Sequence, residues 1–329
     1  MISAKEIATL VAKMATIEDQ QLITSLHEDN LGLREDILQL RSFSTQIESG
    51  AGSILIRHMI LFGLALCMSN VAAQDSDETE QAQASGTSEL SAAEIAKEAH
   101  NPLANLKEVI LQSDILPDVG ALGKTAVVET VQVVLPFAVG EKWKVMTYGI
   151  IPLVSQPAMS PGDDRSYGLG DSKFFGYFVP PNEGKLIWGF GPALQVPSAT
   201  GDILGTDKWA AGPALIIGAQ PGNWSIFALF DNVWDFAGSG SQEVNEFNLQ
   251  YQVVYLFPEN WFFITNWTVE ADWTAPSDER WTVPIGGGFG RQFKIGKQTF
   301  QAYGQIGYNV TRPDGASTWR AIAALVLIF

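Results

Sequence analysis

The strongest constraint in this chain is a period of two. Across 246–257, Phe247, Leu249, Tyr251, Val253, Tyr255 and Phe257 are apolar or aromatic, whereas Glu246, Asn248, Gln250 and Gln252 are polar. Across 261–273, Trp261, Phe263, Trp267, Val269, Ala271 and Trp273 share one parity, and Asn266, Thr268, Glu270 and Asp272 share the other. Successive side chains of a strand point to opposite faces, so each ribbon meets an apolar medium on one side and a polar one on the other.

A soluble sandwich would show the same alternation, and the connections discriminate better. Short turns are expected near Gly140-Glu141, 181–184, Pro221-Gly222, 258–260 and Gly296-Lys297. Between them lie longer polar stretches, 155–168, 197–207, 237–244, 274–280 and 311–317. Outer-membrane barrels are built this way, with short periplasmic turns and longer outside loops. The reading is an all-β chain: a transmembrane antiparallel up-and-down β-barrel of about twelve strands. Their expected spans are 105–116, 124–138, 142–154, 169–179, 186–197, 208–220, 223–236, 245–257, 261–273, 281–294, 298–310 and 318–329.

Two further features fit lipid on the apolar side. Trp319, Ala321, Ala323, Leu325, Leu327 and Phe329 alternate to an aromatic last residue. Barrels of the outer membrane commonly end so, and the assembly machinery is the expected partner of that strand. Trp143, Trp188, Trp209, Trp224, Trp261, Trp273, Trp281 and Trp319 fall near expected strand ends. Indole favours the membrane–water interface because its ring is apolar and its N–H polar.

The first hundred residues are different. Residues 59–68 form a short apolar run behind Arg57 and His58, followed by Val71-Ala72-Ala73 and the polar QDSDETEQ. This is the layout of a secretory signal over 51–73, with cleavage expected after Ala73. Leu66 is too large for a lipoprotein signal at Cys67, the single cysteine, so the mature barrel would have no thiol. Residues 1–50 carry Ile7, Leu10, Val11, Met14 and Ile17 at helical spacing, which suits a helical extension or a start assigned too early. Residues 74–103 read as an acidic periplasmic linker and a short helix, with Ser91 as cap, Glu94 three later and Pro102 at its end.

The net charge of −16 makes nucleic acid an improbable partner, since phosphate binding needs clustered Lys and Arg. The three histidines are His27, His58 and His100, none on an expected strand. A Ser–His hydrolase is therefore disfavoured. His100 is expected to be solvated beside a helix end. Glu270 and Asp272 could do acid–base work or hold a cation, but Arg280, Arg320 or Lys173 can balance them as part of a polar wall. Asp163 with Asp164, and Asp202 with Asp207, read as solvated loop charge. Gly286-Gly287-Gly288 with Gly290 lacks the helix that a phosphate-binding loop requires. No enzyme, cofactor or metal site follows.

A barrel of this size is wider than the eight-stranded kind that side chains just fill. Its expected lumen lining is Glu246, Asn248, Gln250 and Gln252 from one strand, and Asn266, Thr268, Glu270 and Asp272 from the next. Gln132, Gln195, Gln301, Gln305, Asn309 and Arg320 complete the set. The function expected is passage of small solutes through the cell outer membrane, with outer-membrane lipid and the solute as partners. A non-conducting structural or adhesive barrel is the alternative, and a lipid enzyme a weaker one.

GLGDSKFFGYFVPP (168–181), KLIWGFGPALQVPSAT (185–200), DKWAAGPALI (207–216), RWTVPIGGGFGRQFKIGKQ (280–298) and YNVTRPDG (308–315) resemble a family of bacterial outer-membrane proteins. Its members are often labelled "neuromedin U" or transporter, close to the phenol-degradation MetA-pathway group. HNPLANLKEVILQ (100–112) resembles the start of that family's barrel. The resemblance implies an outer-membrane place and a transport role, with aromatic or hydrophobic solutes among the candidates. It implies no catalytic residues.

Overall fold

A computed structural model describes residues 97–329 apart from 141, 182–184 and 297. The expectations for 1–96 (helical extension, signal, Cys67, acidic linker and the Ser91 cap) lie outside the described residues.

The strands are β1 (Glu108–Val119), β2 (Lys124–Val139), β3 (Trp143–Gln156), β4 (Ser166–Leu169), β5 (Ser172–Val179), β6 (Ile187–Val196) and β7 (Lys208–Ala219). They continue as β8 (Trp224–Gly238), β9 (Asn245–Leu256), β10 (Trp261–Asp272), β11 (Trp281–Ile295), β12 (Gln298–Thr311) and β13 (Trp319–Ile328). Every neighbouring pair is antiparallel, and β1 pairs with both β2 and β13, so the sheet closes. Strands β4 and β5 both pair with β3 and together form one broken stave, which makes a twelve-stave barrel.

The break has a local cause. Asp171 leaves the ladder to accept hydrogen bonds from Ala199 N, Thr206 N and the Thr206 hydroxyl, at 3.2, 2.7 and 2.9 Å. It ties the loop 197–207 to the wall instead of extending it. The strand expected at 169–179 therefore starts earlier and is interrupted. The first stave also shifts from the expected 105–116 to Glu108–Val119. Pairing with the chain end begins only at Lys107, which exchanges both backbone bonds with Phe329.

Short turns gather at one end. Gly140, Gly222 and Gly296 there take positive φ of 66°, 57° and 59°, a conformation that glycine adopts without a Cβ clash. The longer loops gather at the other end, apart from the tight connection 120–123 between β1 and β2. By the usual arrangement the short-turn end faces the periplasm.

The outward face is apolar and exposed. Phe190, Phe236, Phe289 and Ile306 are 47, 65, 61 and 63% accessible. Trp143, Trp188, Trp224 and Trp261 stand at the short-turn end, and Trp209, Trp273, Trp281 and Trp319 at the long-loop end, all exposed except the half-buried Trp281. Two belts of indole bounding an apolar band suit hydrocarbon between two aqueous interfaces. In water so large an apolar surface would drive association.

Candidate functional site: the barrel interior

Residues 97–106 do not lie outside the barrel. They enter its short-turn end and are held there by side chains from around the wall. Gln220 and Gln252 donate side-chain N–H groups to the carbonyls of Lys97 and His100, at 2.7 and 2.8 Å. The Ser225 hydroxyl also donates to the His100 carbonyl, at 2.7 Å. Lys144 donates to the Leu103 carbonyl. Leu103 is 2% exposed and packs among Val134, Met146, Tyr177, Val179 and Ile216. Ala99 and Leu106 pack with Ile110, Val326 and Ile328. The carbonyl groups of an irregular segment find their donors in wall side chains, which is what burial of non-helical backbone demands.

This corrects the expectation for His100. It is 5% exposed, edge-on to Phe262 with ring centroids 4.6 Å apart, and the Gln301 amide nitrogen stands 3.4 Å from its Nε2. Burial without a carboxylate partner drives its pKa down to about 3, so the ring is neutral at neutral pH. The hydroxyl nearest to it in the bonding pattern, Ser225, bonds to its backbone carbonyl rather than to its ring. That is a docking contact and not the geometry of a nucleophile with its base.

The interior differs between its two ends. The long-loop half is polar and ion-paired. Arg320 bonds Asp114 at 3.3 Å and stands 4.0 Å from Glu270 across the interior. Lys173 bonds Asp231 at 2.5 Å, and Asn248 donates to the same carboxylate at 3.1 Å. Glu246 and Asp272 are register partners beside the Asn248–Glu270 pair. Thr268 shares the face of Asn266 and Glu270. The short-turn half is apolar on the same inward parity, with Val134, Ile216, Ile264 and Val326 facing in.

Between these halves, above the plug, lies a cavity of about 90 Å³. Gln132, Gln250, Gln252, Asn266 and Gln301 line it, five of the residues expected to face the lumen. Tyr148, Phe175 and Tyr177 form a stacked aromatic run at its edge, with successive centroids 5.7 Å apart. Other expected lining residues are occupied elsewhere. Gln195 donates to Thr206 beneath a loop, and Asn309 to the Ser317 carbonyl. Sequence reading missed Glu108, Gln112, Tyr148, Tyr177 and Tyr303 in the cavity wall. The parity of Glu108, Ile110, Gln112 and Asp114 against Val109, Leu111 and Ile115 was available to find the first two.

One seam in the wall lacks its ladder. Strand β10 pairs with β11 at Trp261–Ile264 and again at Glu270–Ala271, but not between. Side chains seal the interval. Gln305, from the next strand over, accepts from Asn266 N and donates to Asn266 O, at 3.1 and 3.0 Å. The Tyr251 hydroxyl reaches across to the Pro284 carbonyl at 2.9 Å. Pro284 has no N–H to offer a ladder, which is one physical reason for the opening. Trp267 belongs by parity to the lipid side but is 1% exposed. Its indole lies against inward-facing Gly307, where a Cβ would come within 2.6 Å, and 5.9 Å from the Arg320 guanidinium. It has turned in through the seam.

Among the described residues no group of three or more His, Cys, Asp or Glu is placed to hold a metal ion.

No protein-family profile matches the chain, and no curated protein does. Among solved structures, the COG4313 outer membrane channel from Pseudomonas putida F1 is similar at a TM-score of 0.53 and 16% identity, over 68% of this chain and 94% of that one. The KdgM porin in complex with disordered oligogalacturonate gives 0.40 and 9%, over 68% and 99%. A Pseudomonas aeruginosa FadL homologue gives 0.37 and 10%, over 72% and 94%. The first likeness, with the closed sheet and its exposed apolar band, makes this an outer-membrane β-barrel of the cell outer membrane.

Proposed function

We propose that the chain is an outer-membrane channel for small solutes with an aromatic or apolar body, closed toward the periplasm by its own residues 97–106. The observation that carries this reading is what fills the barrel. Residues 97–106 occupy the short-turn end, held by side-chain bonds to their carbonyls and by the packing of Ala99, Leu103 and Leu106, with a cavity left above them. A purely structural barrel needs no such cavity. The half-buried rings of Tyr148 and Tyr303 line the cavity and offer apolar surface to an aromatic solute, and the surrounding amides can replace water around a polar substituent. The sequence resemblance to transporter-labelled outer-membrane proteins supports the same reading. The last strand, ending at Phe329, is the element proposed to meet the assembly machinery.

Planar-bilayer recording tests this. The full chain is expected to conduct weakly. The double variant Ser225→Ala, Gln252→Ala removes both donors to the His100 carbonyl, at about 1 kcal/mol each, and is expected to show larger or more frequent openings. Silence from both, with both folded as barrels, would leave the non-conducting alternative standing.

A further inference from the structure

The cavity above the plug contains one group that the channel reading does not use. Glu108 projects into it from the first residue of β1. Among the described residues no Lys, Arg or His forms an ion pair with its carboxylate, and no donor bonds to it. The other cations of the interior are engaged. Lys144 is bound to the Leu103 carbonyl, Lys173 to Asp231, Lys208 to Asp235 and Arg320 to Asp114. A carboxylate in a cavity walled by Ile110, Val134 and Val326 is costly to ionise unless a cation joins it. Two aromatic rings stand with it. Tyr148 from β3 and Tyr303 from β12 line the same cavity, one on each side of β1.

We propose that this cavity is a subsite for an organic ammonium ion, with Glu108 as its counter-ion and the faces of Tyr148 and Tyr303 flanking the cation. A carboxylate beside aromatic faces is the chemistry that holds alkylammonium groups. The carboxylate supplies charge, and the ring quadrupoles add attraction without hydration to strip away. The approach fits the same ligand. Glu246, Glu270 and Asp272 crowd adjoining strands at the long-loop end, and such a cluster concentrates cations at the mouth. The cavity of about 90 Å³ takes the ammonium and its first carbons, and the apolar body lies against the half-buried ring of Tyr148 at its edge. The proposal rests on the channel reading for its biological sense, but not for its test.

Calorimetric binding to the full chain in a non-ionic detergent needs no passage of solute. Three probes share one body: benzylammonium, benzyl alcohol and benzoate. Benzylammonium is expected to bind about tenfold or more tightly than benzyl alcohol, and benzoate not at all. Glu108→Gln keeps the shape and should erase that preference. Tyr303→Leu should weaken benzylammonium severalfold while leaving the alcohol nearly unchanged. Equal binding of ammonium and alcohol, absence of ammonium binding, or an unaltered preference in Glu108→Gln would each overturn the subsite. Ammonium preference in a chain that never conducts would keep the subsite and remove the channel. Conductance without the preference would do the reverse.

Discussion

Lowering the pH from about 7 to about 4.5 is expected to loosen residues 97–106 from the barrel, and His100→Gln is expected to abolish most of that response. The docked imidazole has its pKa pushed from 6.5 down to about 3 by burial. A group whose pKa is lowered in the docked state favours docking fully above its free pKa. That contribution is lost as the pH falls below 6.5, because the released segment binds the proton and the docked one does not. The slope ends near 3, where the docked ring is protonated too. Two pH units below the free value correspond to roughly 2 to 3 kcal/mol, or up to about a hundredfold in the docking equilibrium. Phe262 and Gln301 face the ring and neither is charged, and among the described residues no carboxylate forms an ion pair with it. Glu108 lines the same cavity and can also take up a proton, so the difference between wild type and His100→Gln isolates His100. Hydrogen exchange of 97–106, corrected for the intrinsic pH dependence of exchange, reads the equilibrium directly. Equal protection at both pH values would refute the account.

Trp267→Ala should cost about 3 kcal/mol or more in barrel stability, measured by denaturant unfolding in micelles. The indole is 1% exposed and fills the interval where β10 and β11 do not pair. Its removal leaves a void bounded by Gly307 and the Arg320 guanidinium, with no ladder bonds to hold the two strands together. Its Nε1 has no hydrogen-bond partner among the described residues, which offsets part of the loss. Trp234, on the outward face of β8 and 47% exposed, is the control. Trp234→Ala loses lipid contact but opens no seam, and about 1 kcal/mol is expected. Approaching the same joint from the other side, Gly307→Val drives a Cβ into the indole and should cost about 1 to 3 kcal/mol. If Trp267→Ala proved no worse than Trp234→Ala, side chains would not be what seals this stretch of wall.

Legibility divided along a physical line. Strands β9 and β10 were readable nearly to the residue, because membrane and lumen impose opposite demands on adjacent positions. Phe247 and Gln252 state which side they face without reference to any distant residue. The eight interfacial tryptophans were legible for the same reason. Trp267 was not. Its parity is that of its lipid-facing neighbours, and only the missing pairs between β10 and β11 draw it inward.

The interior was legible only in part. Gln132, Gln250, Gln252, Asn266 and Gln301 were expected to face the lumen, and they line one cavity. The sequence carried no sign that the chain's own His100 would be lodged among them. Gln301 and His100 are 201 residues apart, and Gln252 and His100 are 152 apart. No local periodicity encodes an amide meeting a carbonyl across a closed barrel. Alternation along each strand, with the turn chemistry at Gly140 and Gly222, was enough to determine a barrel wall, because solvent contrast acts on each residue where it stands. What occupies the lumen, which charges are neutralised and which carboxylate is left unpaired were decided by closure, because only closure sets which staves face each other across the interior.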